Sequence, residues 1–422
     1  MEKHLIKQIL LEQKEEIAGL FRERIVERDR GRAAKKMIES DLIKVIMGVR
    51  RCGKSILAHQ SLRPKEYGYV NFDDERLIGA QKEDLNNFLE VLQEITPGLK
   101  YLLFDEAQNI EGWELFVNRL KRNRYVVTVT GSNAKLLSKD LATHLTGRHF
   151  GIELYPFSFK EFLSYKNIAV SEKDFYMTEK RALINRLLDE YLTAGGFPEI
   201  FHLEAKQQYL RELFNKIITR DVVSRYNIKY VKTLKEVALY VISNFGSRVT
   251  YNKIKKIFDM KSVHTAKNYL NYLEETYLVF QLEPFSFKVK ERIKQPRKVY
   301  CVDTGLISAL VPKTTVDYGR VMENAVFLEL KRREKEVFYY SDPAYEVDFL
   351  IKEGAKITQL IQVCRSLKDD ETKKREVGAL LKASQLLKCR HLLIITGDEE
   401  REERAGGKKI EIVPLWKWLL RD

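Results

Sequence analysis

The sequence predicts an α/β protein: a parallel sheet covered by helices on both faces, then a helical segment and a second, smaller α/β region. Three observations lead there. β-rich runs at 44–47, 67–72, 101–104 and 125–130 alternate with helical stretches such as 82–95 and 113–121, the order that strand–helix–strand units produce. From 158 to about 220 the apolar period is helical. From about 318 strands return, at 337–340, 346–351, 358–363, 391–396 and 409–413, with a charged helix between the third and fourth.

A chain of 422 residues exceeds one ordinary core, and at roughly 150 residues per domain it should form two or three. The apolar fraction of 44%, with 21 Phe and 21 Tyr, is enough to fill them, and nine Pro with 21 Gly argue against disorder or low complexity. The first 20 residues are broken by charges and lack the apolar stretch of a secretory signal. No apolar run reaches the roughly 18 residues of a membrane span. Cys52, Cys301, Cys364 and Cys389 lack CxxC spacing, which suits reduced thiols in a cytoplasm, and the seven dispersed His suggest no zinc site. The 74 basic residues outnumber the 60 acidic ones by 14, so an anionic partner is expected.

In chain order, residues 1–40 read as charged helices with a thin apolar stripe. Residues 41–157 hold the sheet. Residues 158–220 form a helical lid, interrupted at Gly195-Gly196-Phe197-Pro198. A basic module follows at 221–317, and 318–422 is the closing α/β domain. No internal repeat is present.

The chemistry begins at Gly48-Val49-Arg50-Arg51-Cys52-Gly53-Lys54-Ser55, which fits GxxxxGK[ST] and lies between a strand and a helix. The glycines let the backbone wrap so that its N–H groups and the helix start face phosphates. Residues 48 to 55, with Ile56, are the candidate nucleotide-binding residues: Lys54 for the β- and γ-phosphates, Ser55 for Mg²⁺. The apolar strand at 101–104 ends in Asp105-Glu106, 51 residues beyond Lys54. Asp105 is expected in the Mg²⁺ shell, and Glu106 as the base that polarises water. The strand at 126–130 should lie between these two in the sheet. It leads to Asn133, a candidate to orient the water, and Arg148 is a candidate arginine finger acting in cis or from a neighbour. The expected fold is thus that of a P-loop NTPase with ATP and Mg²⁺ as cofactors. Nothing in the sequence reads the base, so GTP stays open.

GVRRCGKS, VNFDDERL, YLLFDEAQ, TGSNAKLLS, TGRHFGIELYPFSFKEFL, GGFPE, RDVVSRYNIK, YCVDTGL, YEVDFLI and IQVCRSL together resemble the prokaryotic AAA-type ATPases that carry a carboxy-terminal domain of uncharacterised function. The resemblance covers nearly all of the chain after residue 40. It implies that Lys54, Ser55, Asp105 and Glu106 occupy the Walker A and B positions, with Asn133 near the sensor position. It implies chemistry without a pathway.

Between Arg220 and Tyr300 there are 17 Lys and Arg against seven Asp and Glu, a net of +10. Ile254, Ile257 and Phe258 are expected on one helical face, and Val263, Ala266, Leu270 and Leu273 on one side of a second helix after a turn at 259–261. Two short helices and a strand suggest a winged helix-turn-helix. Lys261, His264, Lys267 and Asn268 would then face outward as candidate contacts to double-stranded DNA. A helical domain with a soluble basic face, or one that docks a protein, explains the same charges.

At the carboxy terminus, helix, strand, Glu346-Val347-Asp348, turn, strand, Gln362-Val363-Cys364 resembles restriction-endonuclease-like domains, whose sites pair an Asp on one strand with an acidic-x-Lys triplet on the next. Glu323 matches an acidic residue often found on the preceding helix. Gln362 replaces the second carboxylate and Cys364 the Lys, so Glu323, Asp348, Gln362 and Cys364 read as a degenerate nuclease-like site, with Arg365 and Lys368 the nearby cations. A surface acid beside a buried strand Cys is the alternative. The function expected is an ATP-hydrolysing switch or motor acting on DNA, with nuclease activity not expected. A scaffold ATPase docking a protein, or an ATP-assisted metal-dependent nuclease, are the alternatives.

Overall fold

The computed structural model describes residues 1–21, 25–63, 65–134, 149–312 and 317–421. The chain divides into two compact units, residues 1–155 with 275–277, and residues 156–274 with 278–422.

The first unit is built on five parallel strands: β1 Ile43–Met47, β2 Tyr67–Asn71, β3 Tyr101–Asp105, β4 Val126–Gly131 and β5 His149–Glu153. Their order is β2-β3-β4-β1-β5, so β4 lies between the two strands that carry the phosphate loop and the paired acids, as the sequence predicts. Parallel strands need crossovers, and helices Lys54–Leu62, Leu85–Ile95 and Trp113–Arg122 follow β1, β2 and β3. The interior strand β1 is buried at all five residues, including Lys44, whose ammonium escapes the core by donating to the Ser40 carbonyl at 2.6 Å. Burial pulls its pKa down to about 8. The amino-terminal helix Lys3–Leu20 buries Ile6, Ile9 and Leu10. Its Gln13 amide accepts from Asn71 N (2.9 Å) and donates to Asn71 O (3.2 Å), which satisfies the end of edge strand β2 as a further strand would.

The second unit opens with helices Phe159–Tyr165, Thr178–Ala194 and Lys206–Lys216, the first started by a capping box between Ser158 and Glu161. Helix Val231–Ser243, β6 Ser247–Val249, helices Tyr251–Ile257 and Val263–Glu275, β7 Val279–Leu282 and β8 Arg297–Cys301 follow. These strands form an antiparallel sheet in the order β6-β8-β7. The expected turn of Ile257 to the core is corrected: it is 48% exposed, because the helix ends there and Asp259 redirects the chain with φ 45°.

The chain closes with helix Tyr318–Arg332 and a six-stranded mixed sheet: β9 Glu336–Asp342, β10 Tyr345–Glu353, β11 Lys356–Val363, β12 Leu392–Thr396, β13 Arg401–Ala405 and β14 Lys408–Pro414, in the order β13-β14-β12-β11-β10-β9. β9, β10 and β11 form an antiparallel meander, and helix Asp370–Leu387 carries the chain from β11 to the parallel β12. Leu350, Leu360, Leu380, Ile394 and Ile410, all fully buried, lie at the centre of this core. Among the described residues no helix is long and apolar enough to cross a membrane.

Two of the sequence segments quoted above meet inside this unit. Gly195 and Gly196 interrupt the helical lid where the Asp303 carboxylate arrives. Gly196 N donates to Asp303 Oδ2 at 2.7 Å, and a Cβ on Gly195 would stand 2.1 Å from Asp303 Oδ1. Asp303 also caps helix Thr304–Leu310 by accepting from Leu306 N, while burial pushes its carboxyl up to about 6.

Candidate functional site

The phosphate loop takes the shape its glycines permit. Gly48 has φ 154° and a Cβ there would lie 2.0 Å from the Leu154 carbonyl oxygen, while Gly53 has φ 96° immediately before the helix that starts at Lys54. Val49 and Cys52 are buried under the loop, Cys52 Sγ lying 3.3 Å from Leu154 O. Arg51 is exposed, Ser55 and Ile56 are half-buried, and Arg50 pairs with Asp73 at 2.9 Å. Arg28 was not foreseen. Its guanidinium donates to Cys52 O (2.8 Å) and Tyr155 O (2.5 Å) and so braces the loop from outside. A single Arg in a charged amino-terminal segment carries no signal of that contact.

The paired acids stand at the end of β3, beside this loop. Lys54 Nζ lies 3.2 Å from Glu106 Oε1 and donates to Val49 O at 3.3 Å. Burial pushes the Glu106 carboxyl up, but the Lys54 ammonium and Arg50 more than offset this and bring it down to about 2. Glu106 itself has φ 50°, and its Oε2 accepts from Ser132 N at 3.1 Å. Asp105 accepts from the hydroxyls of Ser55 and Thr130, and burial raises its pKa. Thr130 also accepts from Glu106 N at 3.1 Å. It sits in the strand that the sequence assigned only a structural part, and an apolar context hid it. Asn133, 7% exposed, follows Ser132 at the end of β4. Arg148 lies outside the described residues.

This arrangement fits a nucleoside triphosphate with its cation. The loop leaves no room for a side chain at Gly48, the helix begins at the lysine, and Ser55 with Asp105 offers the hard oxygen donors that suit Mg²⁺.

In the basic module Lys261, His264, Lys267 and Asn268 are all exposed, while Ala266, Tyr269, Leu270 and Leu273 of the same helix are buried. Val263, expected with the core, is half-buried.

The carboxy-terminal residues also converge, with one correction. Asp348 is not a free surface acid: its side chain is 16% exposed and lies 2.9 Å from the ammonium of Lys298, which also reaches Glu323 Oε1 at 2.9 Å. The cation therefore comes from β8, fifty residues before Asp348. Among the described residues no ion pair or hydrogen bond connects Arg365 or Lys368 to the cluster. Gln362 Oε1 accepts from Asp348 N at 2.8 Å. Cys364 is buried, and burial pushes its thiol up to about 12.

Sheet order, loop and paired acids define the first unit as an AAA-type domain of the P-loop class, and the model of the AAA domain matches residues 40–163. Two domains of unknown function match residues 185–317 (DUF8612) and 318–418 (DUF4143). The chain is 39% identical over 398 residues to the uncharacterized protein MJ1544 of Methanocaldococcus jannaschii, covering 90% of this chain and 88% of that one. It is 32% identical over 401 residues to an uncharacterized protein of Haemophilus influenzae, covering 91% and 95%. The chain belongs to the protein family that these relatives represent. Among solved structures it is similar to a Walker-type ATPase of Pyrococcus abyssi at 15% identity and TM-score 0.45, covering 68% of this chain and 96% of that one. Replication initiator DnaA bound to AMPPCP and single-stranded DNA is similar at 18% and 0.28, covering 61% and 91%. At these scores the likeness says nothing of ligand or partner.

Proposed function

We propose that the protein is a Mg²⁺-dependent ATPase that works as a switch or motor, with the basic module contacting double-stranded DNA. The observation that carries the catalytic part is the meeting of Lys54, Ser55, Asp105 and Glu106 at the ends of β1 and β3. When bound, ATP and Mg²⁺ supply a phosphoanhydride and a divalent charge that shields it. The loop from Gly48 to Ser55 holds the phosphates through its N–H groups, with Ser55 and Asp105 as the cation's oxygen ligands. Lys54 exchanges Glu106 and the Val49 carbonyl for phosphate oxygens. Glu106 then loses the foremost of the neighbours that depress its pKa and becomes a stronger base toward water. In this reading Asn133, just past the end of the strand between the two, orients that water, and Arg148 keeps its proposed part as an arginine finger.

Helix, strand, two helices, then two strands with the last in the middle of the sheet is the order of a winged helix. Together with the exposed Lys261, His264, Lys267 and Asn268 and the +10 charge, it supports DNA contact. One observation favours a second reading, docking of a protein partner: Phe287, Val289 and Ile293, between β7 and β8, are 80%, 60% and 73% exposed. ATP turnover of the wild type and of Glu106→Gln, with and without duplex DNA over a salt series, tests both. DNA-stimulated turnover that fades with salt supports the first reading, and turnover indifferent to DNA supports the second. No turnover above that of Glu106→Gln overturns the ATPase assignment.

A further inference from the structure

Lys298 is 2% exposed, an unusual place for an ammonium, and its three N–H groups face three carboxylates. Nζ stands 2.9 Å from Glu323 Oε1, 2.7 Å from Glu346 Oε1 and 2.9 Å from Asp348 Oδ1. Three chain segments contribute: β8 the lysine, helix Tyr318–Arg332 one acid, and β10 two acids at i and i+2, on one face of the strand. The pairing of β9 with β10 shifts register between Val347 and Leu350, which places Asp348 in an irregular stretch.

The rest of the cluster is also satisfied. Tyr300 donates to Glu323 Oε1 at 2.7 Å, Val363 N donates to Asp348 Oδ2 at 3.0 Å, and Arg248 pairs with Glu346. Gln362, where a second strand carboxylate would stand, donates to Glu376 at 2.7 Å.

We propose that the Lys298 ammonium is the resident cation of this carboxylate cluster, held at the point where three acidic oxygens would otherwise suit a divalent metal, so that the wild-type cluster neither takes a metal nor cuts nucleic acid. The inference does not rest on the ATPase reading and leaves it untouched. The donor set is that of a hard-cation site, but its geometry is that of an ammonium. N–O distances of 2.7 to 2.9 Å exceed the roughly 2.0–2.1 Å that Mg²⁺ demands. A metal entering here would strand a buried lysine without counter-charge. The covalent tether makes the cation permanent and ties β8 to β10 and to helix Tyr318–Arg332.

Removing the ammonium should expose the latent site. The test is calorimetric titration of Mn²⁺ into the full-length protein without nucleotide, comparing wild type, Asp348→Asn, Lys298→Met and the Lys298→Met/Asp348→Asn pair. Wild type should show no Mn²⁺ binding that Asp348→Asn removes. Lys298→Met should gain one equivalent, bound at least tenfold tighter than any wild-type site, and the double variant should lose it. A folded Lys298→Met protein that gains no site overturns the proposal. Should Lys298→Met not fold, the wild type decides. Mn²⁺ binding, or Mn²⁺-dependent nicking of supercoiled DNA, that Asp348→Asn abolishes would overturn the proposal, and the absence of both supports it.

Discussion

Lys54 Nζ lies 3.2 Å from Glu106 Oε1, so the lysine assigned to the phosphates and the carboxylate assigned to water hold one another. Each keeps the other's charge in place: the lysine is 4% exposed and the glutamate 9%, and neither would ionise there cheaply alone. Paired in this way Glu106 is a weak base, because a carboxyl brought down to about 2 has little affinity for a proton.

Replacing the two residues should therefore have different consequences. Lys54→Ala removes the cation opposite the phosphates and should weaken binding of a fluorescent ATP analogue by tenfold or more. Glu106→Gln keeps the lysine and the loop but cannot accept a proton. It should bind the analogue with similar affinity while turnover falls by about 10²–10⁴-fold, the range of general-base catalysis. Near-normal turnover by Glu106→Gln would remove Glu106 from the role of base.

His59 gives the first unit an acid-sensitive core. Its ring is fully buried, Nδ1 is 2.7 Å from the Tyr67 hydroxyl, and Nε2 has no hydrogen-bond partner among the described residues. Burial brings its pKa down to about 4, against about 6.5 for an exposed imidazole. Between those values the unfolded chain binds more protons than the folded one, so stability falls as pH drops from 6.5 toward 4. The full loss is on the order of 3 kcal/mol, at about 1.4 kcal/mol per pKa unit. Asp303, raised to about 6 in the other unit, works in the opposite direction but equally in wild type and variant. Chemical denaturation at pH 7 and pH 5 should show a smaller pH-dependent loss for His59→Phe than for wild type. Parallel losses would acquit the imidazole.

The sequence made the nucleotide site legible because its signals are local. A glycine-bearing turn between strand and helix, and two acids closing an apolar strand, each declare their geometry within about eight residues. What stayed hidden depends on contacts across long separations. Among the described residues β5 pairs on one side, and β6 has three residues, so neither needs an apolar run. β8 begins Arg297-Lys298, a pair that reads as loop until Lys298 meets Glu323 and Asp348, 25 and 50 residues away. Arg28 reaches Tyr155 across 127 residues for the same reason.

The basic module yields the prediction that separates its two readings. Lys261 and Lys267 are exposed at the start and along one face of helix Val263–Glu275, while Ala266 and Leu270 fix the opposite face in the core. Lys261→Ala/Lys267→Ala should therefore leave the fold intact, because neither side chain belongs to the buried set. If both meet phosphates, duplex affinity should fall for every sequence alike, since a phosphate contact carries no base information. Each contact also releases about one counter-ion, so the slope of log K against log salt should shrink by roughly 1 to 2. His264 and Asn268 lie on the same exposed face, and substituting them should alter preference among sequences more than the salt slope if they reach base edges. Fluorescence anisotropy on a labelled duplex at four or more salt concentrations measures both quantities. A double variant with unchanged affinity and slope would take this helix out of contact with DNA. The exposed Phe287, Val289 and Ile293 would then be the surface to probe for a protein partner. Nucleotide turnover in the absence of DNA should be the same in either case, because Lys261 and Lys267 belong to no part of the phosphate loop.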